Sequence, residues 1–228
     1  MFFYGLQKLT LLDYPEKVAC TLFTGGCNLR CPFCQNSELV VPNLYPEPLN
    51  FDHIFDFLQK RSSILDGICI SGGEPLLHEN LSLYLKQFRN LGYTIKLDTN
   101  GCFPEHLKQL VHDGLIDYVA MDIKNSKKHY CKTAGIASLD LDAIEESIQF
   151  LLQDSIPYEF RTTVVKEFHT DSDFISIGEW LHGARNYYLQ NFVSSDYVLS
   201  PNLHGFSQEE LKRFQTILLP YISNTKIR

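Results

Sequence analysis

Apolar positions along this chain switch between two periods, and each switch marks an element. Short apolar runs predict strands over 17–24 (KVACTLFT), 64–71, 93–97, 118–121, 158–165 and 187–193. Between them apolar residues recur at helical spacing. Over 51–61, Ile54, Phe55 and Leu58 share one face, with Asn50 or Asp52 placed as N-cap. The helix over 81–91 carries Leu81, Leu85 and Phe88 and closes at Gly92; that over 104–113 opens on Pro104 and ends at Gly114. Helices over 140–153, 174–182 and 207–219 complete the series, the last with a Ser207 and Glu210 capping-box pattern. Residues 125–138 read as a loop.

Six strand–helix units in strict alternation imply a parallel sheet with right-handed crossovers. Six are too few to close an eight-fold barrel. The expected fold is therefore α/β, a partial (β/α)6 barrel of parallel strands open on one side. No stretch rich in Gly, Ser or Pro divides the chain, so 1–228 reads as one domain. Its cysteine loop lies at 25–36, and the region 196–228 is expected to close the barrel.

Composition narrows the function classes. With 44% hydrophobic and 13% aromatic residues, the chain can bury a sizeable core. A formal charge of −7 argues against a nucleic-acid partner. No apolar run approaches the length of a membrane span, and the first residues lack the pattern of a signal peptide. A cytoplasmic chain is expected. Its seven cysteines are an odd number in a chain too long to need disulfide staples. Cys20 and Cys69 sit inside apolar runs and read as core residues. Cys102 and Cys131 stand singly, whereas Cys27, Cys31 and Cys34 form a C-x3-C-x2-C cluster.

Polar clusters follow the first four strands: the cysteine loop, Gly72-Gly73-Glu74-Pro75, Asp98-Thr99-Asn100-Gly101 and Asp122-Ile123-Lys124. In a parallel barrel these ends share the face on which active sites are built. Any one cluster reads equally well as a turn or a cap; four on one rim are harder to dismiss. Thiolates suit zinc or iron–sulfur binding. A closed zinc site needs a fourth protein ligand, for which only isolated candidates exist, such as His53, His78, Cys102 and His129. A cubane cluster on three cysteines leaves one iron open, and Gly25 and Gly26 let backbone approach it closely.

These residues resemble a known family. The cysteine loop, with Phe33 before its third Cys, is similar to the signature of the radical S-adenosylmethionine (SAM) superfamily, and Gly72-Gly73-Glu74 to its GGE motif. GLQKLTLLDYP, CNLRCPFCQN and Glu38-Leu39 resemble anaerobic ribonucleoside-triphosphate reductase activating proteins; LDTNG and MDIK also occur in related glycyl-radical-enzyme activases. Glu16 departs from the family, standing where its DYPG turn has glycine, and is expected to change the turn type.

The resemblance implies a 4Fe–4S cluster on Cys27, Cys31 and Cys34, with S-adenosylmethionine on the open iron. Phe33 would pack near the adenine with Gln35 beside it. Gly72, Gly73 and Glu74 would meet the methionyl amine. Asp98, Thr99 and Asp122 match positions that bind a monovalent cation in pyruvate formate-lyase activating enzyme, and Lys124 and Arg161 would bring positive charge to the cofactor. The implied reaction cleaves the cofactor reductively to methionine and a 5′-deoxyadenosyl radical. That radical takes a hydrogen atom from a backbone glycine of a partner, most naturally anaerobic ribonucleoside-triphosphate reductase. No second cysteine run exists, so the electron is expected from flavodoxin or ferredoxin. Two other readings stand beside this one: a radical SAM enzyme acting on a small molecule, and a non-catalytic zinc or iron–sulfur protein. His169 and His204 read as surface residues, and Lys127-Lys128-His129 as a solvated run.

Overall fold

The structure, a computed structural model, describes residues 2–228. In chain order the first elements are β1 (Phe3–Thr10), β2 (Ala19–Thr24), α1 (Ser37–Val40), α2 (Phe51–Arg61), β3 (Gly67–Gly72), α3 (Leu81–Asn90), β4 (Thr94–Thr99) and α4 (Pro104–His112). They continue with β5 (Tyr118–Asp122), α5 (Tyr130–Ala134), α6 (Leu141–Leu152), β6 (Tyr158–Val164), α7 (Asp171–Trp180), β7 (Tyr187–Asn191), α8 (Gln208–Leu218) and β8 (Thr225–Ile227). Eight strands follow one another in sheet order exactly as in the chain, beginning at β1 and ending at β8. The expected α/β class and parallel pairing are present, as β2–β3, β3–β4, β6–β7 and β7–β8 show. Among the described residues no helix is long and apolar enough to cross a membrane.

All six expected strands exist, and two more flank them. β1 runs antiparallel to β2, with register shifts between Phe3 and Gly5 and between Gln7 and Thr10. Those irregularities, with Gln7 and Lys8 exposed, erase the period-two signal that identifies a half-buried strand. β8 is only three residues long. α5 was also hidden, because five residues fall below any periodic window.

By contact the chain divides into two compact units, each assembled from three stretches. The first comprises residues through Asn28, Glu38–Thr99 and Phe103–Val119; the second comprises Leu29–Ser37, Asn100–Cys102 and Ala120–Arg228. In the first unit the strands have two unlike faces. Parallel register aligns Cys20, Ile68 and Ile95 in one row and Leu22, Ile70 and Leu97 in another. Ile54 and Leu58 of α2, Leu81, Leu85 and Phe88 of α3, and Leu107 and Leu110 of α4 are buried with them. Each such side chain contributes roughly 1.5–3 kcal/mol by leaving water. The opposite face carries Thr21, Cys69 and Lys96 in one row. A strand covered by helices on both faces would be apolar throughout, so this polar row sets the face apart from the helix-packed one.

In the second unit, Ile144, Ile148 and Leu151 of α6 and Phe174 and Ile177 of α7 are buried with Phe160 and Leu189. Rings of Phe174 and Phe214 lie 4.4 Å apart where α7 meets α8. Caps follow the sequence closely. Asn50 accepts the Asp52 and His53 N–H groups, and Ser207 and Glu210 form the reciprocal box. α7 begins earlier than its apolar spacing suggests, at Asp171, because Thr170 and Asp173 make a second box.

Glu16 corrects one expectation. Lys17 N–H donates to the Tyr14 carbonyl at 3.2 Å, closing a turn whose second residue is Pro15 and whose third, Glu16, has φ 61°. Pro followed by a positive φ is the pattern of a type II turn, the one that favours glycine third. The turn is thus of the type that favours glycine at its third position, and Glu16 carries the strain. Glu16→Gly is expected to raise unfolding stability by about 0.5–1 kcal/mol, relief of left-handed strain outweighing the added chain entropy. Urea denaturation checks this; a loss of stability would show that Glu16 is not strained.

Candidate functional site

The root of the cysteine loop belongs to the first unit and is held by the stretch that follows β3. Gly73 N–H donates to the Thr24 carbonyl (2.9 Å), Glu74 N–H to the Gly26 carbonyl (2.7 Å), and His78 Nε2–H to the Gly25 carbonyl (2.8 Å). Gly26 N–H in turn donates to the Leu39 carbonyl at 2.7 Å. This clamp explains the paired glycines. A Cβ on Gly73 would lie 1.9 Å from the Gly26 oxygen, and one on Gly72, at φ +116°, 2.4 Å from the Thr24 oxygen. Only backbone without side chains can come this close.

Glu74 is 1% exposed. Its Oε1 accepts the Leu76 N–H at 3.1 Å and the Thr99 hydroxyl at 2.8 Å, tying the end of β3 to the end of β4. Asp98 is engaged on both oxygens: Oδ1 accepts Lys96 Nζ, and Oδ2 accepts the Ser71 hydroxyl at 2.9 Å. Lys96 is 1% exposed, and its charge is buried with its partner. Sequence reasoning passed over Lys96 and weighed His78 only as an isolated candidate zinc ligand. A lysine inside an otherwise apolar strand, and a histidine four residues after Glu74, were the available signals.

Cys27 falls in the first unit and Cys31 and Cys34 in the second. Cys34 N–H donates to the Cys31 carbonyl at 3.0 Å, a tight turn. α5 holds this turn, since Arg30 N–H donates to the Ala134 carbonyl at 2.9 Å. The left-handed Gly135 (φ 68°) ends α5 so close to the loop that a Cβ there would lie 1.9 Å from the Arg30 oxygen. Phe33 is buried against Phe168, ring centroids 5.9 Å apart, and exposed Gln35 donates to the Val193 carbonyl at 2.8 Å.

In the same unit Asp122 accepts Arg161 Nε at 2.5 Å on one oxygen and Lys124 Nζ at 2.9 Å on the other. Burial opposes ionisation of Asp122, but Arg161 and Lys124 outweigh it and hold the carboxyl well below the usual carboxylate range. Burial likewise opposes the charge on Lys124, and Asp122 and Cys31 outweigh it, so the ammonium stays protonated. Burial pushes the Cys31 thiol up to about 11 and the Cys34 thiol also upward; Lys124 pulls both the other way. Lys124 thus offsets part of the burial that disfavours the Cys31 and Cys34 thiolates, and Asp122 acts against it.

His169 is buried, at variance with its reading as a surface residue. Val165 N–H donates to its Nδ1 (3.1 Å) and its Nε2–H donates to the Lys124 carbonyl (2.9 Å), so it is a neutral imidazole steadying the backbone at Lys124. Burial lowers its pKa. His204 is exposed, beside Glu167. The Lys127-Lys128-His129 run is not simply solvated, because Lys127 pairs with Glu145 over the Trp180 ring and His129 pairs with Asp173.

The donor set suits an iron–sulfur cluster. Cys27, Cys31 and Cys34 are in no disulfide, and backbone at Asn36 donates toward Cys34. Among the described residues no three His, Cys, Asp or Glu side chains are already gathered as a metal site. A monovalent cation suits the structure less well. Both carboxylates expected to hold it, Asp98 and Asp122, are taken by cations of the chain itself.

Gly73→Ala should force the clamp apart. The expected cost is roughly 1–3 kcal/mol of unfolding stability, together with reduced iron uptake, read by urea denaturation and iron content after reconstitution.

The family model described as Radical SAM superfamily matches residues 21–181. A protein of Methanocaldococcus jannaschii, provisionally named a glycyl-radical enzyme activating enzyme, is 30% identical over 98% of this chain and 94% of its own length. GTP 3',8-cyclase of Peptoclostridium acidaminophilum is 25% identical over 82% of this chain and 64% of its own. Among solved structures, Streptococcus suis SuiB superposes with a TM-score of 0.70 at 14% identity, covering 91% of this chain and 48% of SuiB, so this chain spans about half of that one. A domain of pyruvate-formate lyase-activating enzyme from Bacteroides vulgatus gives 0.58 at 19% identity, over 71% of this chain and 98% of that one. At these identities the structures show a shared fold alone. The family match covers well over half of the chain and takes in the cysteine loop, the glycine clamp and the Asp122 cluster: the protein belongs to the radical SAM superfamily.

Proposed function

We propose that this protein makes a glycyl radical on a partner enzyme, using S-adenosylmethionine and a 4Fe–4S cluster held by Cys27, Cys31 and Cys34. The observation that carries the reading is the likeness to the M. jannaschii activating-enzyme relative, which runs nearly end to end in both chains. When bound, the cluster supplies the electron that cleaves the cofactor reductively. The chain's own part is to bind, orient and exclude water. The Gly72-Gly73 backbone and Glu74 fix the loop root and offer polar groups to the methionyl end. Lys124, ionised with Arg161 against Asp122, brings positive charge beside Cys31 and Cys34. Phe33 gives the loop an apolar wall against Phe168 on which a flat adenine can pack.

The partner we favour is anaerobic ribonucleoside-triphosphate reductase, on the resemblance of GLQKLTLLDYP and CNLRCPFCQN to its activating proteins. The electron then comes from an external donor such as flavodoxin or ferredoxin, in the cytoplasm. A small-molecule substrate is the second reading, favoured by the likeness to GTP 3',8-cyclase. Anaerobic reconstitution with candidate partners separates them. Activation predicts 5′-deoxyadenosine formation that requires the reductase and a glycyl-radical signal on it; turnover with a nucleotide and no protein partner would overturn it. Cys31→Ala is expected to abolish both cluster assembly and cofactor cleavage, and an intact visible cluster spectrum in that variant would refute the ligand assignment.

A further inference from the structure

We propose that Lys96 is a built-in cation: its ammonium fills the position at Asp98 that a monovalent metal ion would need, and the protein binds its cofactor without sodium or potassium. Lys96 lies on the polar face of β4, two residues before Asp98 and in register with Cys69 on β3. It is among the largest fully buried side chains, and its Nζ reaches Asp98 Oδ1 and, at 3.8 Å, Cys69 Sγ. A charge this deeply buried persists only when paired. Asp98 meets that need, and its second oxygen takes the Ser71 hydroxyl at 2.9 Å. The neighbouring Thr99 hydroxyl, another oxygen a metal ion would use, donates to Glu74 at 2.8 Å. A metal cation entering here would meet an ammonium on the same carboxylate, and the two like charges repel.

An ammonium is a compact point charge with three donors and no release into solvent. It holds Asp98 in place whatever the salt, which makes Lys96 a positioning residue. Its effect on the cofactor rests on the functional reading above; its effect on Asp98 does not.

The test compares potassium, sodium and tetramethylammonium chlorides at equal ionic strength, with wild type and Lys96→Met. One readout is S-adenosylmethionine affinity of the reconstituted protein by equilibrium dialysis. The other is thermal unfolding of the chain as purified. Wild type is expected to change affinity by less than about twofold and Tm by less than ~1 °C across the salts. Lys96→Met should bind about tenfold more weakly in tetramethylammonium and recover with potassium or sodium, which also raise its Tm by ~3 °C. Wild-type affinity that collapses without potassium and sodium would overturn the proposal, as would a Lys96→Met protein indifferent to all three salts. If Lys96→Met fails to fold, the wild-type arm alone decides. Absence of cofactor binding in every salt would instead defeat the functional reading, leaving the unfolding comparison to judge Lys96.

Discussion

The structure turns on one close backbone approach. The carbonyl of Gly26, one residue before the first cysteine, lies where a side chain on Gly73 would have to be, and the Glu74 N–H donates to that same carbonyl. Because Gly73 has no room for a Cβ and Gly26 sits at φ +88°, the loop root stays close against the end of β3. Thr24, Gly25 and Gly26 each give a carbonyl to the stretch Gly73 to His78. A buried polar backbone left unpaired costs about as much as a lost hydrogen bond, so these three bonds are as much a requirement as a gain. In the second unit, Gly135 plays the same part against Arg30. The motif glycines are therefore first a matter of space, and only then of cofactor contact.

Charge is handled in the same economical way. Lys96 with Asp98, and Lys124 and Arg161 with Asp122, are neutral or singly charged groups assembled from buried and half-buried ions that are costly alone. In the second unit this arrangement leaves the Lys124 ammonium acting on Cys31 and Cys34. Fixed charges of this kind need no reorganisation when a thiolate or a carboxylate arrives.

Much of this was legible in the residues. Alternating periods placed the six strands of the parallel run within a few residues, and glycine, proline and capping patterns placed most helix ends. The polar clusters at strand ends were found because charge at the end of an apolar run is conspicuous. What escaped detection did so for physical reasons. β1 is bulged and half exposed, α5 is too short for a period, and the φ of Glu16 depends on a turn that tolerates strain. His78, His169 and Lys96 acquire their meaning only from burial and partners, neither of which spacing reveals.

The central claim is that three cysteines hold a cluster whose remaining iron is taken by S-adenosylmethionine. The most direct measurement is the electron paramagnetic resonance spectrum of the reduced, reconstituted protein before and after the cofactor is added. The account predicts a reduced cubane signal that changes shape on addition, because the cofactor enters the coordination shell. A spectrum indifferent to the cofactor, or a protein that takes up zinc and no sulfide, would contradict it.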